Sequence, residues 1–234
     1  YSGSCNRFQS PFLYYRQSYT QQLRQAKPGT AIPRRLLYGD LSFADLVLLT
    51  LWAHKPVGQE PKGLLRALGV CGITDARIQL QPSSRFNPED DEPRALGLKG
   101  VMKEFVAEID LALSEDGTRS SGEGKDIRKD CAFSTEGLQK LAAFAARHET
   151  NLFNLLLQLR EEGALRGVIF SLVLGGGKTI TVDALSEGEK QLLLVMGMLR
   201  FAEHSEALFL LDEPDTHLNP LWSLQYLKLA EEEL

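Results

Sequence analysis

Cysteines are few in this sequence, a net positive charge and long apolar runs are lacking, and each of these closes off a class of protein. Three cysteines, Cys5, Cys71 and Cys131, lie far apart with no C-x-x-C spacing. That excludes a disulfide framework and a thiolate zinc site, and it fits a reducing compartment such as the cytoplasm. Lys and Arg number 26 against 31 Asp and Glu, a net charge of −5, so no global positive field argues for nucleic acid. The longest apolar runs, such as 46–52 and 208–211, fall well short of the ~20 residues that span a bilayer. No internal repeat and no sustained heptad is present, which leaves no coiled-coil arm inside the chain. Tyr1-Ser2-Gly3-Ser4-Cys5-Asn6-Arg7 has neither an initiator Met nor a signal-peptide pattern, and the chain stops inside a helical pattern at 221–234. We therefore expect a segment of a longer protein.

What remains, 43% hydrophobic residues in 234, is enough for one large domain or two small ones. Residues 1–40 are polar and aromatic, broken by Pro11, Pro28 and Pro33. Ser42 is positioned to cap a helix over 43–53, and a second short helix is expected over 61–68. Period-two alternation at 76–81 predicts a strand, and 83–93 reads as an acidic loop. Residues 101–113 fit either a helix or a strand, with a helix over 101–109 preferred. Residues 114–129, dense in Ser, Gly and charge, read as a mobile loop or linker. Helical periodicity returns at 134–147 and 151–162, with polar starts at Ser134 to Glu136 and Thr150 to Asn154 and with Gly163 and Gly167 closing the second helix. Two β-rich runs, 168–174 and 179–183, joined by Gly175-Gly176-Gly177-Lys178, predict a hairpin; a long helix over 187–203 and a strand over 207–211 follow.

Gly175-Gly176-Gly177-Lys178-Thr179 imitates a phosphate-binding P-loop, but that motif needs Gly five positions before the last Gly, where Leu172 stands. A P-loop also runs from strand into helix so that amides and helix dipole converge on phosphate, whereas here the alternation continues through Ile180 and Val182. Gly124-Lys125 is followed by Asp126, so no Walker A motif is present in this chain.

Two other segments carry chemistry. In Leu185-Ser186-Glu187-Gly188-Glu189-Lys190-Gln191, Ser186 and Glu189 have the spacing of a capping box, and Gly188 lets a ligand approach the backbone. The first-turn amides and the helix dipole form an anion site. The apolar stretch 192–199 sends the body of that helix into a core. A capped helix without a ligand satisfies the same pattern. In Leu208-Phe209-Leu210-Leu211-Asp212-Glu213-Pro214, a buried strand suited to a parallel sheet ends on two carboxylates. Ligands of open α/β sheets bind at that edge. Asp212 suits a magnesium ion and Glu213 an attacking water; a solvated strand end before a proline turn is the alternative. Helix then strand, separated by a short turn, is the order a nucleotide-binding α/β domain uses.

Together these residues resemble the ATP-binding-cassette ATPases. Residues 185–191 are similar to the family's signature, 208–213 to its Walker B strand with catalytic Glu, and Asp215-Thr216-His217-Leu218-Asn219-Pro220 to its D-loop. The wording is closer to the SMC-like and OLD-like soluble branch than to transporter subunits. The Tyr1–Phe12 stretch is similar to a segment of phage-defence-associated AAA ATPases of the Septu type. The resemblance implies an α/β fold: an ABC-ATPase-like nucleotide-binding domain, mainly parallel sheet with flanking helices, plus a helical insertion. Residues 1–40 would continue an upstream lobe, 41–165 form the mainly helical insertion with loop 114–129, and 166–234 carry the signature and Walker B parts.

The same resemblance implies ATP and Mg2+ as cofactors and a head-to-tail dimer, or a higher oligomer. In it Ser186, Glu187, Gly188 and Glu189 meet the γ-phosphate held by the partner subunit. Asp212 holds magnesium, Glu213 polarises water, and His217 and Asn219 stand in the D-loop, where His217 either reports across the dimer or is a plain surface-turn histidine. Three departures qualify it: Walker A is expected upstream of Tyr1, Asn219 replaces the D-loop's Asp, and the Gln-loop and switch His have no counterpart here. The expected function is an ATP-hydrolysing subunit in anti-phage defence that controls a partner nuclease or engages DNA or another nucleic acid, with no membrane partner. An SMC-like DNA-maintenance ATPase and a non-catalytic scaffold are the alternatives. Basic stretches such as Arg34-Arg35 and 125–129 read as solvated faces.

Overall fold

A computed structural model describes residues 41–55, 59–87, 95–113, 117–121 and 127–201. A 3-10 turn at Leu41–Phe43 leads into α1 (Ala44–Ala53) and α2 (Gly63–Ala67). Strand β1 (Val70–Leu80), α3 (Val101–Leu111), β2 (Thr118–Ser121) and β3 (Arg128–Ala132) come next. Then follow α4 (Thr135–Arg147), α5 (Leu152–Glu161), β4 (Leu165–Leu174), β5 (Thr179–Thr181), a 3-10 turn (Val182–Ala184) and α6 (Glu187–Phe201).

Among the described residues the strands form one sheet in the order β2-β3-β1-β4-β5, and every neighbouring pair is antiparallel. This corrects the expected mainly parallel sheet. The β2–β3 and β4–β5 connections are too short for the crossover that a parallel pair requires, so each chain reversal lays its strand antiparallel. The strand at 207–211, which prompted the parallel expectation, lies outside the described residues.

Strand β1 begins earlier than its alternation shows. Its register against β4 shifts between Thr74 and Arg77, where Asp75 takes φ 55, and this bulge breaks the period-two pattern. β2 and β3 arise inside 114–132, a stretch read from sequence as largely loop. The polar run Thr118-Arg119-Ser120-Ser121 carries no strand signal of its own; pairing with β3 supplies its backbone partners. Gly167 sits within β4 opposite Gln79 and does not close α5; Gly163, at φ 74, does. The hairpin forms as expected, with Leu172 opposite Ile180 and Gly176 and Gly177 at positive φ in the turn.

One face of the sheet is apolar and packed: Ala76, Ile78, Leu80, Cys131, Phe170 and Leu172 are buried. The opposite face carries Arg77 paired across to Ile169, which is 50% exposed. At the centre of the core lies α1, buried at every position except Asp45, as an all-round apolar helix must be. Its buried Thr50 is satisfied by donating to the Leu46 carbonyl at 2.7 Å. α4, α5, α6 and β4 all pack against it. Lys129, buried on β3, reaches Asp110 of α3 at 3.0 Å, which explains how a charge is tolerated there. Two polar helix starts work as caps: Ser134 accepts from the Gly137 amide at 3.2 Å, and Asn151 from the Asn154 amide at 2.9 Å. Ser42 does not cap α1 as expected: Phe43 stands at the N-cap without a side-chain cap, and the Ser42 carbonyl and hydroxyl accept from Arg160 instead.

Candidate functional site

The chain leaves β5, makes the 3-10 turn Val182–Ala184, and is pinned by the buried side chain of Leu185 before α6 begins. Ser186 is exposed, and its capping box is complete. The Ser186 amide and hydroxyl both donate to Glu189 Oε2 at 2.7 Å, and the Glu189 amide donates back to Ser186 Oγ at 3.3 Å. Lys190 donates its amide to the Ser186 carbonyl at 3.0 Å and its ammonium to the Asp183 carbonyl at 3.2 Å.

This geometry defines what the helix start can do. The box takes up the amides of Ser186 and Glu189 and leaves out those of Glu187 and Gly188, which head the helix dipole. An anionic oxygen fits there. The Ser186 hydroxyl donates to a carboxylate here, so a phosphate oxygen would replace one anionic acceptor by another. Glu187 is exposed, while Gly188 is buried where the helix enters the core. Asp212, Glu213, His217 and Asn219 lie outside the described residues. Among the described residues no group of three or more His, Cys, Asp or Glu is placed to hold a metal ion.

The body of α6 packs into the core. Leu192 to Gly197 and Leu199 are buried. At Gly197 a Cβ would fall onto Val47 Cγ1 of α1, with Val47 Cβ at 3.4 Å. At the far end the Asn151 side chain donates to the Phe201 carbonyl at 3.1 Å, and the rings of Phe153 and Phe201 stack at 5.2 Å.

A charged cluster that the sequence did not single out lies beside the turn. Arg160 of α5 donates to the Ser42 carbonyl at 2.8 Å and to its hydroxyl at 3.1 Å, and lies over the Phe43 ring at 5.1 Å. Burial pushes the Asp45 carboxyl above its ordinary value; the Leu46 amide and Arg160 work against that, and the like charge of Asp183 adds to it. Asp45 and Arg160 look from sequence like a first-turn acid and a last-turn base on separate helices, and nothing in their spacing links them. An acid whose folded value is raised binds its proton more tightly when folded, so the folded state carries a penalty above that value and sheds it as pH falls through it. Asp45→Asn, whose amide oxygen can still accept from Leu46, should therefore stabilise the protein at neutral pH. The advantage should shrink on acidification towards 3.8, the ordinary value. Urea midpoints of both proteins between neutral and acid pH check this; a gap that widens on acidification would count against it.

Residues 71–228, more than half of the chain, match the family described as "AAA domain, putative AbiEii toxin, Type IV TA system". No curated protein and no solved structure matches the chain. The matched range runs from β1 through α6 and on past Asp212 and Glu213. Among the described residues no helix is long and apolar enough to cross a membrane.

Proposed function

We propose, since this chain belongs to the AAA-domain family, that its nucleotide chemistry is of the ATP-binding-cassette kind, worked head to tail by two subunits. Family membership implies a P-loop ATPase that binds nucleotide, usually with Mg2+. The observation that carries the finer reading is the exposed capping box at the head of a buried helix, with Asp212-Glu213 following in sequence. On this reading the head of α6, through Ser186 and the amides of Glu187 and Gly188, receives the γ-phosphate held by the partner subunit. Asp212 holds Mg2+, which neutralises phosphate charge, and Glu213 orients the attacking water. Residues 166–234 carry the signature and Walker B parts, and 41–165 supply β1, β2 and β3 of the sheet they share. The setting we assign is the cytoplasm, and the role is defence, with a nuclease or nucleic acid as the object of the ATP-driven switch; a family named for a toxin–antitoxin system supports that role.

Subunit mixing tests the arrangement in the complete natural protein. Ser186→Arg and Asp212→Asn should each abolish turnover alone. Mixed one to one, half of the dimers pair the two variants, and each such dimer keeps one site with an intact signature and an intact Walker B. Turnover should then return to about a quarter of the wild-type rate, by the two-fold logic of such a dimer. Mixtures as inactive as the separate variants would sink the head-to-tail reading.

A further inference from the structure

We propose that Gly197 is a positioning residue for the head of α6, setting through its contact with Val47 where Ser186 and the first-turn amides stand; its catalytic meaning rests on the function proposed above. Glycine inside a helix is a local liability, because alanine holds the helix better. Gly197 sits ten residues into α6, where that liability is greatest, so its presence needs a reason. The structure supplies one: a Cβ at this position would land on Val47 Cγ1. Val47 belongs to α1, which is enclosed by α4, α5 and β4 and has no room to retreat.

Anchoring then turns a local clash into a tilt. Beyond Gly197, α6 is held by the Asn151–Phe201 hydrogen bond and the Phe153–Phe201 stack. Before it, the hydrogen bonds of the helix head run within 182–190: Leu185 to Val182, Ser186 with Glu189, and Lys190 to Asp183. The Ser186–Glu189 box belongs to the first turn of α6, so its position follows the helix axis. At ~1.5 Å per residue, Gly197 lies about 6 Å from the Phe201 anchor and Ser186 about 22 Å from it, so a shift at Gly197 grows more than threefold at Ser186. A methyl group at 197 would thus displace the phosphate-binding head by an ångström or more while leaving the fold in place.

The test compares two glycines at close contacts in the complete natural protein. Gly197→Ala should lower kcat about ten- to a hundredfold, the cost of a misplacement of roughly 1 Å. KM for ATP should stay within about twofold, since the partner subunit and not the head of α6 holds the nucleotide. Gly137→Ala, at the α3–α4 contact, should lose stability but keep kcat within about threefold. Val47→Ala combined with Gly197→Ala makes room for the methyl group and should restore kcat; this double variant also decides the matter if Gly197→Ala alone fails to fold. Amide hydrogen exchange at 186–190 gives a readout that needs no ATP: faster exchange in Gly197→Ala, and none beyond wild type in Gly137→Ala. Equal kcat losses in the two glycine variants, a double variant that stays slow, or unchanged exchange at 186–190 would overturn the inference. An inactive wild type and a failed subunit mixture, with the exchange difference intact, would instead sink the ATPase reading and leave the positioning role standing.

Discussion

Glu213→Gln in the complete natural protein is expected to cut ATP turnover by about 10²- to 10³-fold, within the range that a positioned general base contributes. The carboxamide keeps the size of the side chain and can still accept a hydrogen bond, so nucleotide binding and subunit pairing survive while the water loses its base. ATP should accumulate on the protein, and the dimer should persist on a sizing column run with ATP and Mg2+. Asp212→Asn should behave differently: the lost metal contact weakens nucleotide binding itself, so its dimers exchange partners and no ATP-trapped dimer persists on the column. The contrast between adjacent carboxylates is the informative result. A turnover rate unchanged in Glu213→Gln would remove Glu213 from the chemistry and favour a scaffold that has kept the fold without the reaction.

How much of this was legible in the sequence depended on whether a feature is local. The five long helices α1, α3, α4, α5 and α6 were readable because their signals sit within a few residues: Ser134, Asn151 and Ser186 cap, and apolar residues recur along each. The head of α6 was readable for the same reason, since the Ser186–Glu189 box needs only an i, i+3 pair. The sheet was not. A strand's own residues show that it is a strand but not which neighbour it takes, and β1 found partners in β3 and β4 far along the chain. The bulge at Asp75 concealed half of β1, and the edge strand β2 is strand only because β3 lies beside it. Gly197 was illegible for a related reason: its meaning lies in Val47, on a helix at the other end of the described chain.

Gly137→Ala is expected to destabilise the fold by about 1–3 kcal/mol, the ordinary cost of forcing an extra carbon into a filled space. Gly137 lies in the first turn of α4, where its amide serves the Ser134 cap. A Cβ there would meet the Ala112 carbonyl oxygen at the end of α3, with Phe133 Cδ1 at 3.4 Å and the Ala112 carbonyl carbon at 3.5 Å. A flexible side chain could swing aside, but a backbone carbonyl in the cap of a helix cannot, so α4 has to move away from α3. That separation strains the contacts between the two helices: the Phe105–Phe144 ring pair at 5.7 Å and the Arg147–Glu108 ion pair at 3.7 Å. The exposed ion pair contributes little, and the loss falls mainly on the packing around Phe105, which is fully buried. Alanine's better helix propensity returns up to about 1 kcal/mol, which is why the net cost stays moderate. For a domain of this size the midpoint should fall by roughly 2–4 °C per kcal/mol, and the urea midpoint should drop with the slope m unchanged. A midpoint equal to wild type would mean that α3 and α4 part without cost, and that the close contact at Ala112 does not hold them together.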